Sequence, residues 1–307
     1  MLPRVNGWDA ELIVPVDDRE QRAAARDTER GRLRRVRSGV YAVAEDVAEL
    51  RTEDLHLVAM RALASASERT VVFSHQSAAV AHGLPILGPH LARVHVTFAR
   101  AGDRSFERVS GHVFAVRDEE VVEVGGLVVT ARGRTVVDVA GGGTFEEGAV
   151  TADAALAAGL PRALLEQAVD LAGPRRARRR IEEVVAFADA GAQSAGESVS
   201  RVTMRGLGLR PVLQHRMRDG RGVIGDADFW FPEEEVAGEF DGLVKFLDPR
   251  YAPAGAGRKV YDEKVREDRG RAVTKGWARW GWSEARSLRL LGGILHRAGM
   301  RVPRLVR

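Results

Sequence analysis

The sequence contains no cysteine, which excludes a disulfide framework and metal sites built on thiolate ligands. It has no apolar run near the roughly 18–20 residues that a membrane span requires, and its N-terminus lacks the basic and then apolar pattern of a signal peptide. We therefore expect a cytoplasmic protein with no membrane partner. Lysine is scarce, because Lys245, Lys259, Lys264 and Lys275 are the only lysines among 47 basic residues. A lysine within a motif is for that reason slightly more informative than an arginine.

The composition predicts a folded protein with more than one core. Hydrophobic residues make up 45% of the 307 residues, which is too much for a disordered chain and enough for two domains. The net charge is +4 and the pI is about 9.8. This mildly basic balance permits nucleic-acid binding without requiring it.

The N-terminal half is predicted to be an α+β domain that contains a partial winged helix. Residues Arg19–Arg30 have a helical composition, and LRRVRSGVYAVAE at Leu33–Glu45 alternates around a Ser-Gly turn as a β-hairpin does. A helix followed by a basic hairpin is how a winged helix ends, although the preceding residues offer no place for its two earlier helices. The positive charges on this hairpin suit contacts with the backbone phosphates of DNA, although an ordinary solvent-exposed hairpin could carry the same charges. The candidate DNA-binding residues are Arg34, Arg35 and Arg37.

The stretch GPRRARRR at Gly173–Arg180 is the predicted domain boundary. Five arginines in six residues after Gly-Pro are typical of a linker or of the basic start of a helix. The predicted domains are residues 1–172 and 173–307. In the second domain the patterns predict helices near Ala177–Ala190 and Ala195–Gly206, then three strands, a charged helix, a strand and a last helix. This order is typical of an α/β domain.

Carboxylates recur at related places in the second domain. Residues i and i+2 of a strand share a face, so Glu239 and Asp241 point the same way, and an antiparallel neighbour brings Asp228 beside Glu239. Glu197 lies on the preceding helix, and Lys245 follows the acidic strand. Converging acids repel one another unless a cation lies among them, and Mg²⁺ or Mn²⁺ takes such oxygen ligands. The pattern predicts metal ligands at Asp228, Glu239 and Asp241, with Lys245 placed to orient a water or stabilise charge on a phosphate.

A solvent-facing strand edge explains part of this pattern without a metal. Acids on exposed strands are common, and Asp-Gly is a frequent turn dipeptide. For Glu239 and Asp241 alone the two interpretations are balanced. The further acids Asp228 and Glu197, on two other elements, favour the metal site.

The same motifs carry a resemblance over about Ile181–Arg289. The pieces are GESVSR at Gly196–Arg201, ADFWFP at Ala227–Pro232, EFDGLVK at Glu239–Lys245, EKVRED at Glu263–Asp268 and RW at Arg279-Trp280. As a set they resemble the PD-(D/E)XK restriction-endonuclease-like nucleases, in the branch related to very-short-patch-repair endonucleases. The resemblance implies a restriction-endonuclease-like mixed sheet flanked by helices, and hydrolysis of DNA phosphodiesters with Mg²⁺ or Mn²⁺.

The resemblance also assigns roles to individual residues. Glu197, Asp228, Glu239 and Asp241 would be ligands of the metal or of its water, and Lys245 would be the displaced basic residue. Two positions depart from the pattern, because Ala227 replaces the usual proline and Asp241 replaces the usual lysine.

Three basic residues of the second domain are candidate DNA contacts. Each could equally pair with a nearby acid, and ion pairs on an exposed helix face are common. These residues are Arg201, Lys264 and Arg266.

Histidines and hydroxyls cluster in SHQSAAVAHGLPILGPHLARVHVTF in the first domain. The segment has no G-x-S-x-G elbow and no histidine pair at the helical spacing of a zinc site with a glutamate between them. We interpret these side chains as caps and packing residues. They are Ser74, His75, Ser77, His82, His90 and His95.

The first domain carries a second resemblance, which covers about Leu33–Gly159. Its pieces are RRVRSGVY, FSHQSAAVAHGLP, VHVT, VTARGRTVVDVA and TADAALAAG. They resemble the AbiEi-type antitoxins of abortive-infection systems. This resemblance implies binding of operator DNA through a winged helix, with a cognate toxin as a further partner.

Two functions are therefore expected from the sequence. The first is a metal-dependent DNA endonuclease, in DNA repair or phage defence, with the N-terminal domain as its specificity module. The alternative is a DNA-binding regulator, an antitoxin of a type IV toxin–antitoxin system, whose nuclease fold is inactive. An intact set of acids favours the first function, whereas the aspartate at position 241 favours the second.

Overall fold

The computed structural model of the chain is a mixed α/β protein. It describes residues 7–88, 90–98, 108–114, 116–173, 176–242 and 256–304, without the side chains of residues 256–260, 262 and 263. The chain divides into two compact units, residues 1–155 with 159–187, and residues 188–307 with 156–158. The division falls after Phe187 rather than at the predicted boundary between residues 172 and 173. None of the helices in the described ranges has the length and apolar character needed to cross a membrane.

The first unit begins with a small three-stranded sheet in the order β1-β3-β2. Its strands are β1 (Leu12–Ile13), β2 (Leu33–Arg37) and β3 (Val40–Val43), and its helices are α1 (Asp18–Glu29), α2 (Ala44–Ala48) and α3 (Thr52–Ser65). Asp17 caps α1 by accepting a hydrogen bond from the backbone N–H of Glu20. The predicted first helix and basic hairpin are confirmed.

A mixed five-stranded sheet follows, in the order β6-β5-β4-β8-β7. Its strands are β4 (Val72–Phe73), β5 (Val94–Phe98), β6 (Val109–Val113), β7 (Val121–Val124) and β8 (Leu127–Thr130). Helix α4 (His75–Ala81) is almost entirely buried, because its small residues allow close packing against the sheet. Phe73, Met60 and Val129 lie at the centre of this core.

Four further helices complete the first unit: α5 (Arg132–Gly142), α6 (Phe145–Ala157), α7 (Arg162–Leu171) and α8 (Arg178–Phe187). The arginine-rich start of α8 is tied to this unit, since Arg180 donates to the carbonyls of Ala140 and Gly141. Arg178 likewise donates to the carbonyl of Val169. These bonds explain why α8 belongs to the first unit, although the sequence pattern placed it at the start of the second domain.

The second unit is a four-stranded mixed sheet with helices on both faces. The sheet order is β12-β11-β10-β9, in which β9, β10 and β11 are antiparallel neighbours and β12 runs parallel to β11. The strands are β9 (Val212–Asp219), β10 (Gly222–Phe231), β11 (Val236–Phe240) and β12 (Gly276–Trp280), and the helices are α9 (Ala195–Leu207), α10 (Ala256–Ala272), α11 (Trp282–Ala285) and α12 (Leu288–Arg297). The predicted order of elements in this part of the chain is confirmed.

The two faces of this sheet pack against different helices. Trp280 donates from Nε1 to Ser200 Oγ of α9, whereas the ring of Trp277 lies against Gly270 of α10. Residues three apart on a strand point to opposite faces, so α9 and α10 cover opposite faces of the sheet. Phe229 is fully buried on the α9 side, with its ring centroid 5.2 Å from that of Trp280.

Candidate functional site

Acidic residues of β10 and β11 meet near the end of β11, opposite the interior of β10. The antiparallel register pairs Phe229 with Gly238, and one further step places Asp228 opposite Glu239. Asp228 Oδ2 accepts a hydrogen bond of 2.9 Å from the backbone N–H of Phe240. The juxtaposition of Asp228 and Glu239 agrees with the predicted pairing of these strands. It brings two carboxylates from two strands to one place.

Glu239 is a buried carboxylate that is compensated by arginines. Its side chain is 7% exposed, Arg266 Nη2 lies 2.7 Å from Oε1, and Arg279 Nε lies 3.9 Å from Oε2. Burial raises the pKa of Glu239, the ion pairs with Arg266 and Arg279 act in the opposite direction, and the charge of Asp228 raises it further. Glu239 is therefore held where its charge needs a cation beside it.

Asp241 lies on the same face of β11 as Glu239, as the two-residue period predicts. Both its oxygens accept hydrogen bonds from Arg279, from Nε at 2.7 Å and from Nη2 at 2.6 Å. The parallel register of β11 and β12 pairs Glu239 with Arg279, which aims the guanidinium at both acids. Arg279 also donates from Nη1 to Glu267 of α10 at 2.5 Å. Asp241 is thus engaged by an arginine through both of its oxygens.

Glu197 occupies a different environment from these acids. It is residue N3 of α9, and its Oε1 accepts from Ser194 Oγ at 2.8 Å while Ser194 Oγ accepts from its backbone N–H. Its Oε2 accepts from the backbone N–H of Gln193 and from Gln214 Nε2. These bonds resemble a capping box. Among the described residues Glu197 does not form a metal-binding group with Asp228 and Glu239.

The remaining predicted site residues fall into three groups. Arg201 is buried and lies 4.0 Å from Asp189, so its guanidinium is not open to a DNA backbone. Lys264 is exposed on α10, whereas Arg266 is engaged by Glu239. Lys245 lies outside the described residues.

In the first unit the predicted basic hairpin is only partly exposed. Arg34 and Arg35 of β2 face solvent. Arg37 is half-buried, and its Nε has no hydrogen-bond partner among the described residues. Two of the three predicted phosphate contacts are therefore open to a ligand.

The histidine-rich segment forms a largely buried cluster, which includes two residues that the sequence did not single out, His56 and His112. The rings of His75 and His112 stack with centroids 3.5 Å apart, and His95 Nδ1 lies 3.0 Å from His112 Nε2. His56 Nε2 lies 2.8 Å from Ser77 Oγ, which also accepts from the backbone N–H of His95. The parallel pairing of β5 and β6 sets His112 next to this segment, and a sequence pattern does not reveal that pairing.

Sequence patterns also missed the role of Arg279. The sequence shows it only as part of an Arg-Trp pair, yet it connects β11, β12 and α10 through Asp241 and Glu267. The hydrogen bonds that Arg279 donates to Asp241 raise the pKa of Arg279. The only signal in the sequence is an arginine at the fourth of five positions in a short strand whose other residues are Gly, Trp, Ala and Trp.

Among the described residues, no group of three or more histidine, aspartate or glutamate side chains is arranged to hold a metal ion. The acids instead form one network with arginines of α10 and β12. Burial acts to raise the pKa of Glu267, but hydrogen bonds from Arg271 and Arg279 outweigh it and lower that pKa. No protein-family model, no curated protein and no solved structure matches this chain.

Proposed function

We propose that the second unit is a metal-dependent endonuclease domain that hydrolyses DNA phosphodiesters. The observation that carries this proposal is the juxtaposition of Asp228, within β10, and Glu239, near the end of β11, with Glu239 buried. Desolvating one carboxylate beside another is unfavourable, and such arrangements are concentrated at functional sites.

The order of elements supports the same proposal. A helix, three antiparallel strands, a crossover helix and a parallel strand form a mixed sheet flanked by helices. A mixed sheet flanked by helices is the coarse feature that the resemblance to restriction-endonuclease-like nucleases requires. The acids lie on the face of the sheet that α10 covers, and α10 itself carries Lys264 and Arg266.

The pair Asp228 and Glu239 fits a magnesium or manganese site of the two-carboxylate kind. Mg²⁺ is usually bound by one or two carboxylates, with water and substrate phosphate as the other ligands. A bound divalent cation would activate a water and neutralise charge on the phosphodiester. Asp241 is less suited to this role, because both its oxygens accept from Arg279.

Plasmid cleavage tests this function. The full-length protein is incubated with supercoiled DNA in Mg²⁺, Mn²⁺ or EDTA, and Glu239→Ala is compared with Glu233→Ala, an exposed acid in the turn before β11. We expect metal-dependent nicking that Glu239→Ala abolishes and Glu233→Ala retains. Equal nicking by both variants would show a contaminating nuclease, and no cleavage of duplex, mismatched or single-stranded DNA would reject the proposal.

A second function is favoured by the arginines that engage the acids. Arg266 binds Glu239 and Arg279 binds Asp241, as in a nuclease fold that has lost its chemistry and serves a DNA-binding regulator. The exposed Arg34 and Arg35 on β2 would then contact operator DNA, and a cognate toxin would be the further partner. Electrophoretic mobility shift with the DNA upstream of the gene tests this function. Binding that is independent of metal and weakened by the double variant Arg34→Gln/Arg35→Gln supports it.

A further inference from the structure

We propose that Arg279 binds a non-bridging oxygen of the scissile phosphate, and that Asp241 positions Arg279 and is not a metal ligand. This inference rests on the proposed nuclease function, and it assigns a role to the two residues that the acidic cluster alone does not explain. The ligand class is a phosphodiester. Arginine suits it because its planar guanidinium matches phosphate oxygens.

The guanidinium of Arg279 is fixed in place from two elements. Asp241, at the end of β11, accepts from Nε and Nη2, and Glu267, on α10, accepts from Nη1. The backbone N–H of Asp241 donates to the carbonyl of Trp280, which fixes the end of β11 against β12. Because two carboxylates hold the guanidinium of Arg279, this group needs little rearrangement when negative charge develops beside it. Such preorganised charge is what stabilises a transition state.

The same guanidinium keeps donors for a ligand. Three of its five N–H groups are used by Asp241 and Glu267, so one N–H on each terminal nitrogen has no acceptor among the described residues. The side chain is 25% exposed, and its Nε lies 3.9 Å from Glu239 Oε2. A phosphate placed by Asp228 and Glu239 is therefore within reach of these N–H groups.

The chain contains a closely matched control for this pair. Arg269 of α10 also binds an aspartate through two bonds, Nε to Asp219 Oδ2 at 2.8 Å and Nη2 to Asp219 Oδ1 at 2.7 Å. Its side chain is 24% exposed, close to the 25% of Arg279. It differs in that it does not contact Glu239 within the described part of the chain. Changes at Arg269 and Asp219 therefore report the loss of an ion pair without the loss of the proposed contact.

The first experiment measures Mn²⁺ binding to the full-length protein by isothermal titration calorimetry. If Asp241 positions Arg279, Asp241→Asn binds Mn²⁺ within about threefold of the wild type, whereas Glu239→Gln weakens binding by about tenfold or more. A loss in Asp241→Asn as large as that in Glu239→Gln would overturn the assignment. The variant Asp219→Asn corrects for general effects of removing an aspartate.

The second experiment measures single-turnover nicking at saturating Mn²⁺. We expect Arg279→Gln to lower the rate by about 100-fold and Asp241→Asn by about tenfold, with Arg279→Lys between them and Arg269→Gln unchanged. Arg279→Lys retains the charge but not the two-bond contact, so it tests the proposal if Arg279→Gln fails to fold. Wild-type rates in the Arg279 variants would reject it.

A third measurement separates this inference from the nuclease function itself. If the wild type does not nick DNA, the proposed function fails, and fluorescence anisotropy with a 20-base-pair duplex in EDTA then decides the role of Arg279. Loss of at least tenfold in affinity for Arg279→Gln, with Arg269→Gln unchanged, retains Arg279 as a phosphate-binding residue; about tenfold is the lower end of what one charge-assisted hydrogen bond contributes. Equal affinities for the two variants reject it.

Discussion

Acidification from pH 7.5 to pH 5 is expected to destabilise the first unit through the buried His56 and the half-buried His95. Burial lowers the pKa of His56 to about 4, and a backbone hydrogen bond with Leu91 opposes this only partly. Burial also lowers the pKa of His95 to about 4, together with the nearby His112. Their ring nitrogens are engaged by Ser77 and His112, contacts that suit neutral imidazoles.

The size of the effect follows from the two pKa values. In the unfolded chain a histidine binds a proton near pH 6.5, so below that pH the unfolded state holds more protons and stability falls as the pH falls. With a folded pKa of about 4, each of His56 and His95 costs about 2 kcal/mol at pH 5. The sum of about 4 kcal/mol is a large part of the 5–15 kcal/mol that stabilises a typical domain. The loss is complete below about pH 4, where both states are protonated.

Urea unfolding followed by peptide-resolved hydrogen–deuterium exchange measures this effect for each unit separately. We expect the free energy of unfolding of the first unit to fall by about 4 kcal/mol between pH 7.5 and pH 5, and by about half as much in His95→Gln. His296→Gln, an exposed histidine of α12, is the control and leaves the dependence unchanged. A fall of less than about 1 kcal/mol in the wild type would refute the reasoning, as would ring protonation of both histidines near pH 6.5 by NMR.

Three substitutions in the second unit test its packing by thermal unfolding. Gly196→Ala places a methyl group onto the ring of Phe240, so we expect a loss of about 1–3 kcal/mol that a smaller residue at position 240 restores. Ser194→Ala removes the N-cap of α9 and is expected to cost about 1 kcal/mol; no change would show that the cap is dispensable. Gly225→Ala forces a side chain into φ +152° with its Cβ 3.2 Å from Arg266 Cδ, so we expect a loss of about 1–3 kcal/mol, and a neutral result would contradict the strain.

The sequence predicted local elements well, because their signals are local. The acids of β10 and β11 could be aligned from strand period and turn length alone, so the juxtaposition of Asp228 and Glu239 was accessible. The position of Arg279 was not, since β12 pairs with β11 only after the α10 crossover and its register depends on packing. The role of Glu197 is hard to predict for a different reason, because the local pattern Ser-x-x-Glu fits both a helix cap and a catalytic acid.

The burial of Glu239 connects both proposed functions. A buried carboxylate can be compensated by a proton, by an arginine or by a divalent cation. The raised pKa of Glu239 favours compensation by a proton. Arg266 provides compensation by an arginine, because its Nη2 lies 2.7 Å from Glu239 Oε1. A cation bound by Asp228 and Glu239 would weaken the hold of Glu239 on Arg266 and leave that guanidinium on α10 for a phosphate. A regulator without metal chemistry would retain the ion pair with or without Mg²⁺. The response of Arg266 to Mg²⁺, followed by the NMR signal of its Nε–H, therefore distinguishes an enzyme from a DNA-binding protein built on the same sheet.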